Sequence, residues 1–252
     1  MTRLNVQKTY KIFIGGKFPR TESGRHYAIE NANGEQVANM CLSSRKDFRN
    51  AVVAARKAQP AWAGLTAYNR SQILYRLAEM LESRSASFME EMINLGLSNK
   101  QAETEVSSSI DALVYYAGWC DKYTALFSSV NPTASAHFNF SVHEPTGVVA
   151  AIAPEESPLL GLISVIAPAI AGGNTIVILA SEMKATSAIS FAEVVQNSDV
   201  PSGVINILTG NLAELLPHFA SHMDVNALTM TRGELDAKSR ASLIENLKRF
   251  YD

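Results

Sequence analysis

From Val148 onwards, short apolar runs alternate with segments of helical periodicity, and this alternation constrains the fold more than any other feature of the sequence. A strand buried on both faces reads as a continuous apolar run, and a helix between two such strands joins them in parallel by a right-handed crossover. The sequence therefore predicts an α/β fold with a doubly wound, Rossmann-type parallel sheet. The predicted strands are Val148–Ala153, Thr175–Leu179, Val204–Thr209 and Ala227–Met230, and the predicted helices are Pro158–Ala171, Lys184–Gln196, Leu212–His222 (kinked or shortened by Pro217) and Gly233–Glu245.

The N-terminal part of the chain follows other patterns. Gly15–Gly16 supplies the positive φ angles of a two-residue hairpin turn, and Ser44 with Asp47 forms a capping box that opens a helix. His137–Val142 alternates polar and apolar side chains, as a strand with one apolar face does. The predicted elements before it are a hairpin (Lys11–Ile14 and Lys17–Phe18), a strand (Glu35–Leu42), a helix from Ser44 to Pro60, and two long amphipathic helices (Asn69–Leu95 and Gln101–Phe127).

Composition argues against several classes of partner and site. The formal net charge is −2 and no basic stripe is present, so nucleic acid and anionic membranes are not expected as partners. Met1–Lys11 lacks the apolar core of a signal peptide, and two cysteines cannot form a disulfide framework, so we expect a cytoplasmic protein. No metal site is expected, because the histidines lack metal-ligand spacing: His26, His137, His143, His218 and His222.

A doubly wound sheet binds its ligands at the carboxyl ends of its strands. In this chain those ends lie at Pro154–Pro158, Ala180–Glu182, Gly210–Asn211 and Thr231–Gly233. Neither a GxGxxG fingerprint nor a P-loop occurs in the sequence, so the usual phosphate-binding motifs are not what these loops contain.

The same loops resemble a known family when they are taken as an ordered set. The matching segments are Ile14-Gly-Gly-Lys17, Ala54-Ala-Arg-Lys-Ala58, Tyr115-Tyr-Ala-Gly-Trp119, Glu144-Pro-Thr-Gly-Val-Val149, Pro154, Ser157-Pro-Leu-Leu160, Ala167-Pro-Ala-Ile-Ala-Gly-Gly-Asn-Thr175, Ser181-Glu182, Pro201-Ser-Gly-Val-Ile-Asn206, Gly210, Asp224 and Leu228-Thr229. Together they resemble the aldehyde dehydrogenase superfamily over nearly the whole chain. The nearest likeness is to the degenerate, non-catalytic second domain of tandem-domain aldehyde dehydrogenases.

The resemblance implies an organisation and a site. It implies an N-terminal hairpin and long helices packed on the sheet (1–136), an oligomerisation-arm strand (137–145) and a Rossmann-type cofactor-binding-like core (146–252), with the family's catalytic domain absent. The family's cofactor is NAD or NADP, so the resemblance marks Pro154, Glu182 and Thr231 as vestigial cofactor-binding residues. Glu182 matches a glutamate that hydrogen-bonds a ribose hydroxyl in the family, and a role in capping the next helix is the alternative.

The departures from the family pattern concern catalysis and cofactor binding. Glu156 replaces the asparagine that donates to the oxyanion, and an ionised carboxylate cannot donate. Val165 and Leu179 stand where the family has lysines, and Met230 replaces a glycine that lets the pyrophosphate approach. Two lysines lost and two glutamates gained, at Glu155 and Glu156, make the expected pocket more negative by four formal charges. We therefore expect NAD to bind weakly or not at all.

The remaining candidate residues have alternative interpretations. Cys120 is expected to be a packing cysteine rather than a nucleophile, because no basic residue or helix start lies beside it. Glu155 and Glu156 are expected to favour the N-terminus of the following helix, with acid–base hydrolysis as the alternative. The nucleophilic cysteine, the general-base glutamate and the oxyanion asparagine of the family are not expected in this chain, so no catalytic residue is assigned.

Three functions follow from these observations. The leading hypothesis is a non-catalytic aldehyde dehydrogenase-like subunit that assembles with itself or with a full-length aldehyde dehydrogenase. In this hypothesis His137–Val142 pairs with a strand from outside the chain, because its backbone groups would otherwise stay unpaired, and pairing only within its own chain is the alternative. The second hypothesis is a component of an NAD-dependent aldehyde oxidoreductase that contributes a cofactor site. The third and weakest is a nucleotide-binding sensor.

Overall fold

A computed structural model of the chain describes residues 7–252. The helices are α1 (Arg45–Ala63), α2 (Ala67–Glu82), α3 (Ser85–Asn94), α4 (Asn99–Trp119), α5 (Lys122–Phe127), α6 (Leu160–Ala171), α7 (Thr186–Asn197), α8 (Leu212–Ser221) and α9 (Ala237–Glu245). The strands are β1 (Thr9–Tyr10), β2 (His26–Glu30), β3 (Gln36–Cys41), β4 (Ser129–Asn131), β5 (Asn139–Ser141), β6 (Val148–Ile152), β7 (Thr175–Leu179), β8 (Ile205–Leu208), β9 (Ala227–Met230) and β10 (Arg249–Tyr251).

The central sheet is parallel and has the strand order β10-β9-β6-β7-β8. Helices cover both of its faces, so alternate residues of one strand enter different hydrophobic cores. In β6, Val149 and Ala151 pack into one core together with α2, α4, α6 and α7. Val148, Ala150 and Ile152 pack into the other core together with α1, α8 and α9. The predicted α/β fold with a Rossmann-type parallel sheet is confirmed.

The N-terminal elements partly match the prediction. Gly15 and Gly16 have φ of 58° and 75°, and Ile14 pairs with Lys17 across the predicted turn, although the flanking segments form only a single bridge. The strand predicted at Glu35–Leu42 is β3, which lies between β1 and β2 in a small sheet. The capping box of Ser44 and Asp47 is present. The strands β1 and β2, of two and five residues, were not predicted from the sequence.

Both long helices predicted before residue 128 are interrupted, so these two predictions were wrong. The first breaks between α2 and α3 at Arg84, whose backbone leaves the helical region with φ −110° and ψ 10°. The second breaks between α4 and α5, where Cys120 N–H bonds to Ala117 O instead of continuing the i to i−4 pattern. Apolar spacing alone does not reveal such breaks, because the segment after each break keeps helical spacing.

Two predicted helix boundaries also need correction. Pro60 lies inside α1 and does not end it. The helix predicted at Leu212–His222 is α8, and Pro217 lies inside it as the predicted bounds require. The last helix begins at Ala237 and not at Gly233, because Gly233 has a φ of +80° that no α-helix contains. The edge strand β10, at Arg249–Tyr251, pairs in parallel with β9.

The strand predicted at His137–Val142 is β5, and it has a partner within the chain. It pairs antiparallel with β4, so that Val130 lies opposite Phe140. The structure thus shows the alternative interpretation, in which the strand pairs within its own chain, and the expectation of a partner strand from another chain was wrong for this edge. We call this segment, residues 128–143, the arm hairpin. None of the helices within residues 7–252 is long and apolar enough to cross a membrane.

Candidate functional site

Three loops meet at the carboxyl edge of the central sheet. Pro154, Glu155 and Glu156 follow β6, Ser181 and Glu182 follow β7, and Thr231 and Arg232 follow β9. Because β6 lies between β7 and β9 and all three strands are parallel, their loops are neighbours at one edge. The edge therefore combines three carboxylates with one guanidinium.

The carboxylate of Glu155 is the most highly connected group at this edge. Its Oε1 accepts hydrogen bonds from Ser181 Oγ at 2.7 Å and from the backbone N–H of Met183 at 2.5 Å. Its Oε2 accepts from the backbone N–H of Glu182 at 3.1 Å and lies 2.8 Å from Arg232 Nη1. Burial by itself raises the pKa of Glu155, but the hydrogen bonds and the charge of Arg232 outweigh burial and lower that pKa below its ordinary value.

Arg232 is held in place from two strands. Its Nε donates to Ala153 O at 2.8 Å, and its Nη2 donates to Ala180 O at 3.0 Å, so the guanidinium links the ends of β6 and β7. The sequence-based count of four added negative charges left Arg232 out, and Arg232 compensates Glu155. The signal that could have found Arg232 is a basic residue two positions after β9, a strand that lies next to β6.

The residues predicted as vestigial cofactor-binding groups lie at the same edge but have internal partners. Glu182 Oε1 accepts from Asn211 Nδ2 at 3.0 Å, and Asn211 Oδ1 in turn accepts from Glu214 N–H at the start of α8. Thr231 Oγ1 donates to Ile152 O at 2.8 Å. Pro154 lies against Gly161, where an added Cβ would collide with the proline ring. The side chains of Glu182 and Asn211 thus interact with each other at this edge, whereas the hydroxyl of Thr231 is hydrogen-bonded to the backbone of β6.

The expectation that Glu155 and Glu156 serve the N-terminus of the following helix was wrong. Glu105, on α4, performs that role. Its Oε1 accepts from Leu159 N–H at 3.1 Å, from Leu160 N–H at 2.9 Å and from Ser157 Oγ at 2.8 Å. The side chain of Glu156 is exposed, and its backbone carbonyl accepts from Lys184 Nζ at 3.3 Å.

Tyr27, on β2, lies close enough to Glu182 and Glu155 for their negative charges to act on its hydroxyl. Its hydroxyl is buried and has no hydrogen-bond partner among residues 7–252. Burial is the largest cause that raises the pKa of Tyr27, and the negative charges of Glu182 and Glu155 raise it further. A buried hydroxyl without a partner costs free energy, so Tyr27 is a donor that this edge leaves unused.

The residues at this edge do not fit a nicotinamide dinucleotide, the cofactor that the family resemblance implies. The donors of the turn after β7 are bound to Glu155, and Glu182 is bound to Asn211. Met230 is buried in the core at the end of β9. A dinucleotide would have to displace these internal contacts, so we derive no reaction step through it.

The cysteine and histidine candidates lie elsewhere. Cys120 is buried, its Sγ–H donates to Tyr116 O at 3.5 Å, and burial raises the pKa of its thiol to about 11, as a packing cysteine requires. His218 and His222 line a cavity of about 720 Å³ between α1, α8 and α9. Burial lowers the pKa of both. No group of three or more potential metal ligands occurs in the part of the chain that the structure describes.

Fold and loops together define a doubly wound α/β protein whose polar residues gather at the carboxyl edge of the sheet. The chain belongs to the aldehyde dehydrogenase family, whose profile matches residues 18–244. It is 35% identical to retinal dehydrogenase 2 of Gallus gallus over 235 residues, which are 90% of this chain and 45% of that protein. Over 244 residues it is 32% identical to an aldehyde dehydrogenase of Aspergillus niger, covering 94% of this chain and 48% of the relative.

Solved structures agree with this assignment. Lactaldehyde dehydrogenase superposes with a TM-score of 0.90 at 26% identity, over 97% of this chain and 52% of that structure. The NAD⁺ complex of an aldehyde dehydrogenase from Bacillus cereus superposes with a TM-score of 0.89 at 27% identity, over 96% of this chain and 50% of that structure. The chain thus spans about half the length of these relatives.

Proposed function

We propose that this chain is a non-catalytic aldehyde dehydrogenase-like subunit that works through assembly, either with itself or with a full-length aldehyde dehydrogenase. In this respect it would resemble the degenerate second domain of tandem-domain aldehyde dehydrogenases. The observation that carries the proposal is the apolar surface of the arm hairpin. Phe138 is 75% exposed, Phe140 56% and Val130 70%.

The composition of the carboxyl edge supports a non-catalytic role. The residue at the position of the family's oxyanion donor is Glu156, which at neutral pH offers only acceptors. Cys120 is buried and its thiol has a raised pKa, so it is a poor source of thiolate. Covalent catalysis of acyl transfer needs a thiolate and an oxyanion donor together. Within residues 7–252 we find neither in a suitable arrangement.

The packing of the arm hairpin supports assembly. Phe138 and Phe140 lie with their ring centroids 5.3 Å apart, so they form one apolar patch, and Val130 lies opposite Phe140 on β4. An exposed apolar patch next to unpaired strand edges favours association with another surface. Burial of such side chains contributes roughly 1.5–3 kcal/mol each before the ordering costs of association are subtracted. Several such side chains have to be buried together before this contribution exceeds the costs of association.

Light scattering after size-exclusion chromatography tests the proposal, with and without a full-length aldehyde dehydrogenase. We expect a dimer or a mixed complex, and we expect Phe138→Asp combined with Phe140→Asp to weaken it. The matched control is Met223→Asp, which places a charge at a methionine that is 83% exposed and outside the arm hairpin. A monomer that ignores the added enzyme, and that the double substitution leaves unchanged, would contradict the proposal.

A further inference from the structure

The last turn of α8 and the loop after it form one wall of the cavity of about 720 Å³ between α1, α8 and α9. This loop continues to Asn226, whose N–H donates to Val148 O at the start of β6. This end of the cavity therefore lies at the amino edge of the sheet, opposite the loops that follow β6, β7 and β9. We propose that the cavity binds a small organic anion, a carboxylate or phosphate joined to an apolar group, whose charge Arg45 and Arg49 neutralise.

The two arginines of α1 supply the positive charge. Arg45 and Arg49 are about one helical turn apart, so both side chains reach the face of α1 that lines the cavity. Neither forms an ion pair within residues 7–252, whereas the adjacent Lys46 is bound to Glu22 at 2.5 Å. A guanidinium group binds carboxylates and phosphates through paired N–H donors. Two arginines without an acidic partner at one cavity therefore suit an anion.

The two carboxylates that line the cavity do not cancel this charge. Asp236 caps α9 by accepting from Ser239 N–H at 2.7 Å. Asp224 is flanked by two further cations, because Arg56 donates to its backbone carbonyl and Lys248 Nζ donates to His222 O at 2.7 Å. With neutral histidines, the lining itself carries three cations and two carboxylates: Arg45, Arg49, Lys238, Asp224 and Asp236. The cavity thus has an excess of positive charge in a chain whose net charge is −2.

The histidines of α8 add a hydrogen-bond donor. His222 Nδ1 accepts from Asp224 N–H at 3.2 Å, so the neutral ring carries its hydrogen on Nε2. No hydrogen bond to that Nε2 occurs within residues 7–252. The ring is held edge-on against Phe48, with 5.7 Å between the ring centroids. His222 therefore presents an oriented N–H donor that the described chain does not use.

The titration of the two histidines shows that Arg45 lies close to both. Burial is the largest cause that lowers the pKa of His218 and of His222, and the charge of Arg45 acts in the same direction on each. The other charges that act on them are those of Glu214 on His218, and of Asp224, Lys248 and Arg56 on His222. An anion bound to Arg45 would favour the charged form of both rings.

The size and the apolar part of the lining indicate an organic ligand rather than an inorganic ion. Pro217 and Met223 contribute apolar surface, and Met223 is 83% exposed. Methionine side chains adapt to the shape of a bound molecule. A volume of about 720 Å³ lies within the range of small-molecule pockets, roughly 300–1,000 Å³. The site is separate from the arm hairpin, so it does not depend on assembly of the chain.

The test is calorimetric titration at constant ionic strength with phenyl phosphate, inorganic phosphate and benzyl alcohol. We expect phenyl phosphate to bind more tightly than the other two, because only phenyl phosphate has both a charge and an apolar group. Arg45→Gln combined with Arg49→Gln should weaken its binding at least about tenfold. Lys46→Gln is the matched control, since it removes a positive charge from the same turn of α1 but from outside the cavity, and it should leave the affinity unchanged.

Equal affinity for phenyl phosphate and for either of the other probes would overturn the proposal, as would no binding of phenyl phosphate. The same holds if Lys46→Gln weakens binding as much as the double substitution does. Proton resonances of the histidine rings in the unmodified chain give a second measurement that needs no variant. Phenyl phosphate should raise the pKa of both His218 and His222, whereas benzyl alcohol should not. Titration curves that phenyl phosphate leaves unchanged would contradict the site.

Discussion

Arg232 Nη1 lies 2.8 Å from Glu155 Oε2, and this ion pair joins the loop after β9 to the loop after β6. The two side chains are 18% and 30% exposed, so the pair is shielded from much of the solvent screening that weakens surface pairs. The backbone N–H groups of Glu182 and Met183, in the turn after β7, donate to the same carboxylate of Glu155. The loops that bind ligands in proteins of this fold are thus tied to one another in this chain.

The first prediction concerns turnover. The purified chain, mixed with NAD or NADP and a panel of aldehydes, should produce no reduced cofactor above background. The reason is that Cys120 is buried with a thiol pKa of about 11, and Glu156 cannot donate to an oxyanion. Absorbance of the reduced nicotinamide measures this. Turnover that disappears in Cys120→Ala would show that Cys120 is a nucleophile after all.

The second prediction concerns cofactor affinity. We expect a dissociation constant for NAD weaker than about 1 mM, which corresponds to only about −4 kcal/mol of binding free energy. The donors of the turn after β7 are already bound to Glu155, and Glu182 is bound to Asn211. Calorimetric titration measures the affinity, and any binding that is found should weaken in Glu182→Ala. Micromolar affinity would favour the hypothesis of a cofactor-contributing component instead.

The third prediction concerns acid stability. The pKa of Glu155 in the folded chain lies below its ordinary value of 4.5, so its ionised form stabilises the fold above that pH. This contribution should be lost as the pH falls below about 4.5 and through the lower folded pKa. Urea unfolding should therefore show Glu155→Gln to be less stable than the unmodified chain at neutral pH, with the difference shrinking in acid. Glu156→Gln is the control, and a difference that is independent of pH would refute the prediction.

The fourth prediction concerns Glu105. Glu105→Ala should destabilise the fold by about 1–3 kcal/mol, since it removes the acceptor of two backbone N–H groups and one hydroxyl at the start of α6. Chemical unfolding followed by circular dichroism measures the change. Glu103→Ala is the matched control, because Glu103 lies on the same helix and is exposed. Equal stability of both variants would show that α6 does not depend on this contact.

Local patterns in the sequence predicted most of the sheet. The strands β6 to β9 were found because each is a largely apolar run between helices, and that pattern depends on burial of both sheet faces. The Gly15–Gly16 turn and the Ser44–Asp47 capping box were found because each involves residues a few positions apart. The breaks after α2 and α4 were missed because the apolar face continues beyond each of them.

The sequence by itself thus determined the alternation of strands and helices from β6 to α9, the parallel sheet and the loops that form its carboxyl edge, since these follow from periodicity and burial. Only the tertiary structure decided which side chains bind one another at that edge. Glu105 binds the N–H of Leu160, 55 residues further along the chain, and Glu155 binds Arg232 rather than the helix that follows it. A hydrogen bond depends on distances of about 3 Å between atoms, and for residues so far apart in sequence these distances are set by the packing of the whole chain.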